Sequence, residues 1–269
     1  MTENFNNEKW WDQNTMSYKN WDLPPSEREK NQLSDLIRLN QAYLDSNPYL
    51  KIFFNDLKDK KKKHKTSFDK VLDIGCGWGS SSLLLSNLYN EVFAIDISQT
   101  SIDNAYKNIS SNQKKNINLE KKDAEHLELE EYFDFVYSWG VIHHSNNPKK
   151  IFQKVFKSLK KEGSFLIMVY NRNSLRFWFK GLYWLFCKFK IFSGQNIDSV
   201  QKYFTDGFYH KHYRPFELVN DLKEIGFKNI EFELTHMSKN YVPFIKKKSK
   251  IDDLLKKKFG WLLVVKGLK

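Results

Sequence analysis

The sequence predicts an α/β chain on a doubly wound, mostly parallel sheet. Two observations carry this. Between Lys70 and Tyr170, short apolar runs alternate with stretches of helical periodicity, the pattern of strands joined by crossover helices and buried on both faces. The first run, "KVLDI", opens into a loop with glycine at every second position, Gly75, Gly77 and Gly79. Such a loop lets a ligand or a helix approach the backbone closely. With 269 residues, 41% of them hydrophobic, the chain can bury one large domain with additions.

Residues 1–65 read as an aromatic and helical cap. Trp10, Trp11, Tyr18 and Trp21 crowd the first part, which ends in Pro24-Pro25. Ser26 and Glu29 form a capping-box pattern, and Leu33, Leu36, Ile37, Asn40 and Leu44 follow one helical face. Asn47-Pro48 breaks the pattern, and a second amphipathic piece runs to about Leu57. The run Lys58 to Lys65 reads as a solvated linker.

Residues 66–269 read as the sheet domain. "KVLDI" is a buried strand and Ser80–Leu88 a helix. "EVFAIDIS" is the second strand, followed by a helix over Thr100–Ile109. "INLEKKDA" and "FDFVYSW" are the third and fourth. A helix spans about Pro148–Leu159, with Pro148 in its first turn. "GSFLIMVY" is the fifth strand. A helical insertion is expected over about 172–214. Pro215–Ile225 is a helix closed by Gly226, and "FKNIEFELTHM" and "FGWLLVVKG" are the last two strands.

Composition narrows the function classes. The net charge of +12 invites a nucleic acid or an anionic membrane, but only five of the 44 basic residues are arginine: Arg28, Arg38, Arg172, Arg176 and Arg214. Arginine makes the bidentate contacts of nucleic-acid recognition, so nucleic acid is not favoured. Cys76 and Cys187 are the two cysteines, with no disulfide framework, and the polar start "MTENFNNEKWW" is unlike a secretory signal. A cytoplasmic protein is expected. His143 and His144 are adjacent, and His210 and His212 are two apart without evident partners, so no metal site is expected.

The glycine loop lacks the GxxxxGK[ST] of a phosphate loop, and Gly75, Gly77 and Gly79 give GxGxG rather than the GxGxxG of dinucleotide sites. Asp73 at the loop entry would repel a pyrophosphate and suits a cationic ligand. Asp96 ends the second strand, 17 residues after Gly79, where a carboxylate accepts ribose hydroxyls. A ribose, a positive charge and no pyrophosphate together describe S-adenosylmethionine. Singly, the glycines fit any tight strand-to-helix turn, and Asp96 or Asp123 fits a helix N-cap.

"VLDIGCGWG" followed by "FAIDIS" resembles motifs I and II of the class I S-adenosylmethionine-dependent methyltransferases. "KKDAEHL" resembles the segment whose acidic side chain, here Asp123, holds the adenine amino group while Ala124 offers its backbone N–H. The stretch from Phe133 to Ser174 is similar to the branch that includes ubiquinone and menaquinone biosynthesis methyltransferases, where a His-His pair follows strand four. The resemblance implies seven strands with the last antiparallel. It implies S-adenosylmethionine as cofactor, held by Asp73, Gly75, Cys76, Gly77, Gly79, Asp96, Ile97, Asp123, Ala124 and Ser138. It also implies a small-molecule acceptor, with a lipid-like or quinone-type compound in view.

Only an acceptor that keeps its proton at neutral pH needs a base. His143 and His144 are the candidates, His144 first because it adjoins the polar "SNN" loop; both also fit structural packing. Tyr18, His210, His212, Tyr213 and Arg214 are candidates for the acceptor site, with Arg214 suited to a carboxylate or phosphate. The N-terminal aromatics suit a lid over a sulfonium or glue for the cap. Leu175 to Phe192 mixes Arg176, Lys180, Lys188 and Lys190 with a broad aromatic face. It is too short and charged to span a bilayer. As a helix it suits a peripheral contact with anionic membrane, a lid or a subunit contact. Two other classes stay open: a binding module on a degenerate cofactor fold, and an NAD-dependent oxidoreductase.

Overall fold

The computed structural model describes residues 6–15, 29, 32–45, 47–64, 68–205, 210–236 and 250–269. The strands are β1 (Lys70–Ile74), β2 (Glu91–Asp96), β3 (Ile117–Lys121), β4 (Phe133–Trp139), β5 (Leu159–Asn171), β6 (His212–Tyr213), β7 (Lys228–Thr235) and β8 (Leu262–Leu268). Seven of them form one sheet in the order β3-β2-β1-β4-β5-β8-β7. The first five run parallel, and β8 lies antiparallel between β5 and β7. This is the arrangement expected from the resemblance. The two-residue β6 is an addition: it pairs in parallel with Tyr170 and Asn171 at the end of β5.

The helices are α1 (Asn7–Gln13), α2 (Leu36–Asp45), α3 (Pro48–His64), α4 (Ser80–Leu85), α5 (Gln99–Ser111), α6 (Pro148–Ser158), α7 (Leu175–Leu182), α8 (Pro215–Ile225) and α9 (Lys250–Phe259). Alternation along the strands sends side chains to two cores. Val71, Val92, Ala94, Phe135 and Tyr137 pack against α3, α4 and α5. Leu72, Ile74, Ile95, Val136 and Ile167 pack against α6 and α8. Covering both faces explains why the strands read as nearly continuous apolar runs. The strand order reverses between β1 and β4, and ligand crevices form at such a switch, outside the carboxyl ends of the strands.

Two expectations fail here. The lysine run is not a linker: Lys58 to His64 continue α3. Lysine is a good helix former, and Leu50, Phe54 and Leu57 anchor the helix by burying one face, each for about 2 kcal/mol. Leu175 to Phe192 is not one helix either. α7 runs on as a π-helical turn over Tyr183–Cys187, and the helix has ended by Phe189, which is left-handed with a φ of 54°. Ser26 of the capping box, and Tyr18 and Trp21, lie outside the described residues.

The cap is tied to the sheet by polar contacts. Asn40 of α2 donates to Asn108 Oδ1 of α5 at 2.9 Å and accepts from Ser80 Oγ at 2.6 Å. The Tyr43 and Tyr137 hydroxyls lie 2.6 Å apart. α2 is therefore docked onto the two helices that follow the glycine loop and β2.

Candidate functional site

The glycine loop owes its shape to three left-handed residues, with φ of 74° at Gly75, 52° at Gly77 and 80° at Gly79. A Cβ at Gly75 would sit 2.2 Å from Val141 Cγ2, whereas one at Gly77 would meet nothing within 4 Å. The loop is closed against the segment after β4 at Gly75 and open at Gly77.

Its amide groups are mostly spent. Gly75 and Cys76 N–H donate to Ile95 O at 2.8 and 3.1 Å, Gly77 N–H to Asp96 Oδ2 at 3.0 Å, and Gly79 N–H to Cys76 O at 2.8 Å. A phosphate cradle needs such amides free. The geometry therefore counts against a pyrophosphate more directly than the missing third glycine does.

Asp96 closes β2 and also accepts from Ser98 N–H at 2.9 Å. Burial pushes its carboxyl up to about 6, against the backbone donors of Ser98 and Gly77, with Asp12 adding repulsion. Asp73 is buried at the heart of β1, and Ser81 and Ser82 both donate to its Oδ2, at 2.7 and 2.6 Å. Burial lifts it to about 6 as well. Asp123 caps the short turn Ala124–His126, accepting from Glu125 N–H at 2.9 Å. Cys76 and Ala124 are buried in the two cores. Ser138 is buried and donates to Ile74 O at 3.2 Å. Ile97 follows Asp96 in the partly buried turn before α5.

These residues fit the adenosyl group that the sequence points to. Asp96 ends β2 and Asp123 follows the end of the neighbouring β3, the loop is open at Gly77, and the buried Trp78 Nε1 has no partner among the described residues.

Helix α1 spans the segments around this site. Asp12 accepts from Ser98 Oγ at 2.8 Å and from Thr100 N–H at 3.2 Å, at the start of α5. Glu8 pairs with Lys121 at the end of β3. The Trp11 ring meets His144 edge-on, with centroids 5.0 Å apart. A short acidic helix beginning "NEKWWD" thus bridges β3, α5 and the histidine segment.

The two histidine groups converge. His143 and His144 lie in a turn after β4, and both are buried. Their ring centroids are 4.1 Å apart, and His144 is 6.4 Å from His210, which is 5.1 Å from His212. Pairing of β6 with β5 causes this, helped by the bond from Lys211 N–H to His143 O at 2.8 Å. Tyr170 packs against His143 at 4.0 Å and His212 at 5.5 Å, and stacks on Trp261 at 4.4 Å. Burial and the neighbouring histidines hold His143 well below the usual imidazole range, and burial does the same to His212. No cluster of metal-ligating side chains occurs among the described residues.

Beyond His210 and His212 lies a cavity of about 330 Å³. It is also lined by Arg172, Asp198, Lys211, Arg214 and Glu217. Arg172 is paired with Asp198 and Lys211 with Glu217. Tyr213 does not face this cavity. Successive strand residues point to opposite faces, so with His212 on the cavity Tyr213 packs in the core near Phe152. Lys211 adjoins both histidines in sequence, but the approach of Arg172, Asp198 and Glu217 to them is a tertiary contact that no local spacing signals.

A family model described as a methyltransferase domain matches residues 65–204. The chain is 32% identical over 123 residues to a ubiquinone biosynthesis O-methyltransferase from Rickettsia bellii, covering 45% of this chain and 51% of that one. It is 35% identical over 113 residues to a phosphoethanolamine N-methyltransferase from Plasmodium falciparum, covering 40% of this chain and 42% of that one. The chain spans about half or less of the length of these curated relatives. Among solved structures, a SAM-dependent methyltransferase from Archaeoglobus fulgidus has the same fold, with a TM-score of 0.53 at 18% identity over 81% of this chain and 94% of that one.

Proposed function

The chain belongs to the methyltransferase domain family, and from that premise we propose that it transfers a methyl group from S-adenosylmethionine to a small-molecule acceptor. The observation that carries the reading is the open glycine loop with its amides spent, set beside the carboxylate of Asp96. Asp96 would take the ribose hydroxyls, Asp123 and Ala124 the adenine edge, and the loop around Gly77 the amino-acid end. When bound, this cofactor supplies an electrophilic methyl group on a sulfonium. The protein's own task is then to align the acceptor, exclude water and hold any proton released.

His144 is the general base in this reading. It is the histidine that touches α1 through Trp11. His143 lies closer to Tyr170, at 4.0 Å against 5.6 Å for His144, and burial together with the neighbouring histidines lowers its basicity; it supports His144. A base suits a hydroxyl acceptor, as the O-methyltransferase relative would have it, more than an amine. The acceptor is lipid-like or quinone-type. Incubating the protein with methyl-labelled cofactor and a prenylated catechol should label the catechol oxygen. Cofactor binding with no transfer to any phenol would move the acceptor to another class.

An exposed apolar band supports contact with anionic membrane. Trp178, Phe179, Leu182, Tyr183, Phe186, Phe189, Ile191 and Phe192 are exposed within one stretch, and its charged residues are all basic. Apolar side chains with a lysine fringe partition into the interface of a bilayer with negative headgroups. Among the described residues no helix is long and apolar enough to cross a membrane, so the contact is peripheral. In flotation with anionic vesicles the protein should rise with the lipid, and a Trp178→Ser/Phe186→Ser variant should stay behind. Wild type remaining wholly in the aqueous fraction would assign the band to another role.

A further inference from the structure

The cavity beside β6 and the first turn of α8 has a charge pattern of its own. Its lining holds three cationic side chains, Arg172, Lys211 and Arg214, against two carboxylates, Asp198 and Glu217. Both carboxylates are already engaged: Arg172 Nη2 bonds Asp198 Oδ2 at 2.9 Å, and Lys211 Nζ bonds Glu217 Oε1 at 3.0 Å. Arg214 has no ion pair or side-chain hydrogen bond among the described residues, although it immediately precedes α8. The positive end of that helix adds to the local potential.

A second observation is independent of charge. His212 lines the same cavity, is only 7% exposed, and its Nε2 has no hydrogen-bond partner among the described residues. A buried ring nitrogen without a partner costs free energy unless something fills the site. The cavity can hold a small polar group, and a cation is disfavoured where the carboxylates are spent and a guanidinium remains over.

The position gives the site its meaning. His210 lines the cavity and lies one ring away from His144, with centroids 6.4 Å apart. We propose that this cavity is a subsite for an anionic group of the methyl acceptor, a carboxylate or a phosphate, gripped by Arg214 and His212 while the accepting atom lies at His144. The inference rests on the methyltransferase reading. It adds that the acceptor is amphiphilic, with a negative end a few ångströms beyond the atom that is methylated. Arg172 and Lys211 brace the wall through their ion pairs, and Arg214 supplies the unbalanced positive charge.

Calorimetric titration of the full chain at constant ionic strength tests this, with inorganic phosphate and benzoate as probes. A parallel titration with S-adenosylhomocysteine uses the same preparations. Wild type should bind at least one probe saturably. Arg214→Gln and His212→Phe should each weaken that probe about tenfold, the usual size of one charge-assisted hydrogen bond, and leave S-adenosylhomocysteine affinity unchanged. Preference for phosphate assigns a phosphorylated acceptor, and preference for benzoate a carboxylic acid. Arg214 is exposed, so its variant should fold even where His212→Phe does not. No saturable binding of either probe, or binding indifferent to Arg214→Gln, overturns the subsite. Wild type failing to bind S-adenosylhomocysteine overturns the methyltransferase reading instead, and the two failures are read in separate titrations.

Discussion

On the β1–β2 side of the sheet, the groups at the carboxyl edge are backbone atoms and strand-end carboxylates: the loop at Gly75 to Gly79, Asp96 and Asp123. On the β4–β5–β6 side they are side chains, four histidines and three cations drawn from residues 143 to 214. The first half is assembled from neighbouring strands and the turns that follow them. The second depends on a two-residue strand that brings residue 212 to residue 170. On the proposed assignment, the ligand common to the family meets features the fold enforces, and the ligand particular to this chain meets side chains that the fold brings close.

The sharpest way to separate the halves is to disable chemistry on one side and watch the other. His144→Ala should lower turnover on a hydroxyl acceptor by about 10² to 10⁴ and leave S-adenosylhomocysteine affinity intact. Single-turnover rates with calorimetry on the same variant check both. Equal rates in variant and wild type would reduce the histidines to packing.

Gly75→Ala strikes the opposite half. The new Cβ would fall 2.2 to 2.8 Å from three atoms of Val141, at a φ of 74° that an L side chain rarely adopts. Strain and overpacking of this kind cost about 1–3 kcal/mol each. Chemical denaturation should show the loss, and cofactor affinity should fall with it. Gly77→Ala meets no atom within 4 Å and should cost stability only through its φ, so a larger effect on ligand than on stability there would confirm its open side.

The cofactor half should also carry the pH dependence. Asp96 is raised from 3.8 to about 6 by burial. A raised carboxyl favours the folded state when protonated, so this contribution is complete below about 4 and is lost as pH rises through about 6. Ligand binding runs the other way, because ribose hydroxyls need the carboxylate as acceptor. Between pH 7.5 and 5, S-adenosylhomocysteine affinity should fall by about tenfold, while the thermal midpoint of the free protein rises relative to Asp96→Asn. An affinity flat across that range would remove Asp96 from the ribose role.

The same division governs what could be read from the sequence. The glycine loop, Asp96 and Asp123 were legible because their spacing is local and their backbone demands are specific. β4 (Phe133–Trp139) and α8 (Pro215–Ile225) were legible from apolar period and caps. The meeting of His144 with His210 was not, because it depends on β6, two residues long and without a periodic signal. Nor could spacing alone show that His212 faces the cavity and Tyr213 the core. The lysine run misled because its charge signalled solvent while the anchors Leu50, Phe54 and Leu57 lay before it. Leu175 to Phe192 misled in reverse: helical periodicity carried on through a left-handed break at Phe189.

The central claim is that the Asp96 edge binds the adenosyl group, and calorimetric titration of S-adenosylhomocysteine into wild type and folded Asp96→Ala tests it most directly. Wild type should bind saturably, one to one, and the variant should lose at least tenfold in affinity, since two charge-assisted hydrogen bonds of about 1.5–3 kcal/mol each are removed. Equal affinity in the two proteins, or no binding by either, would contradict it.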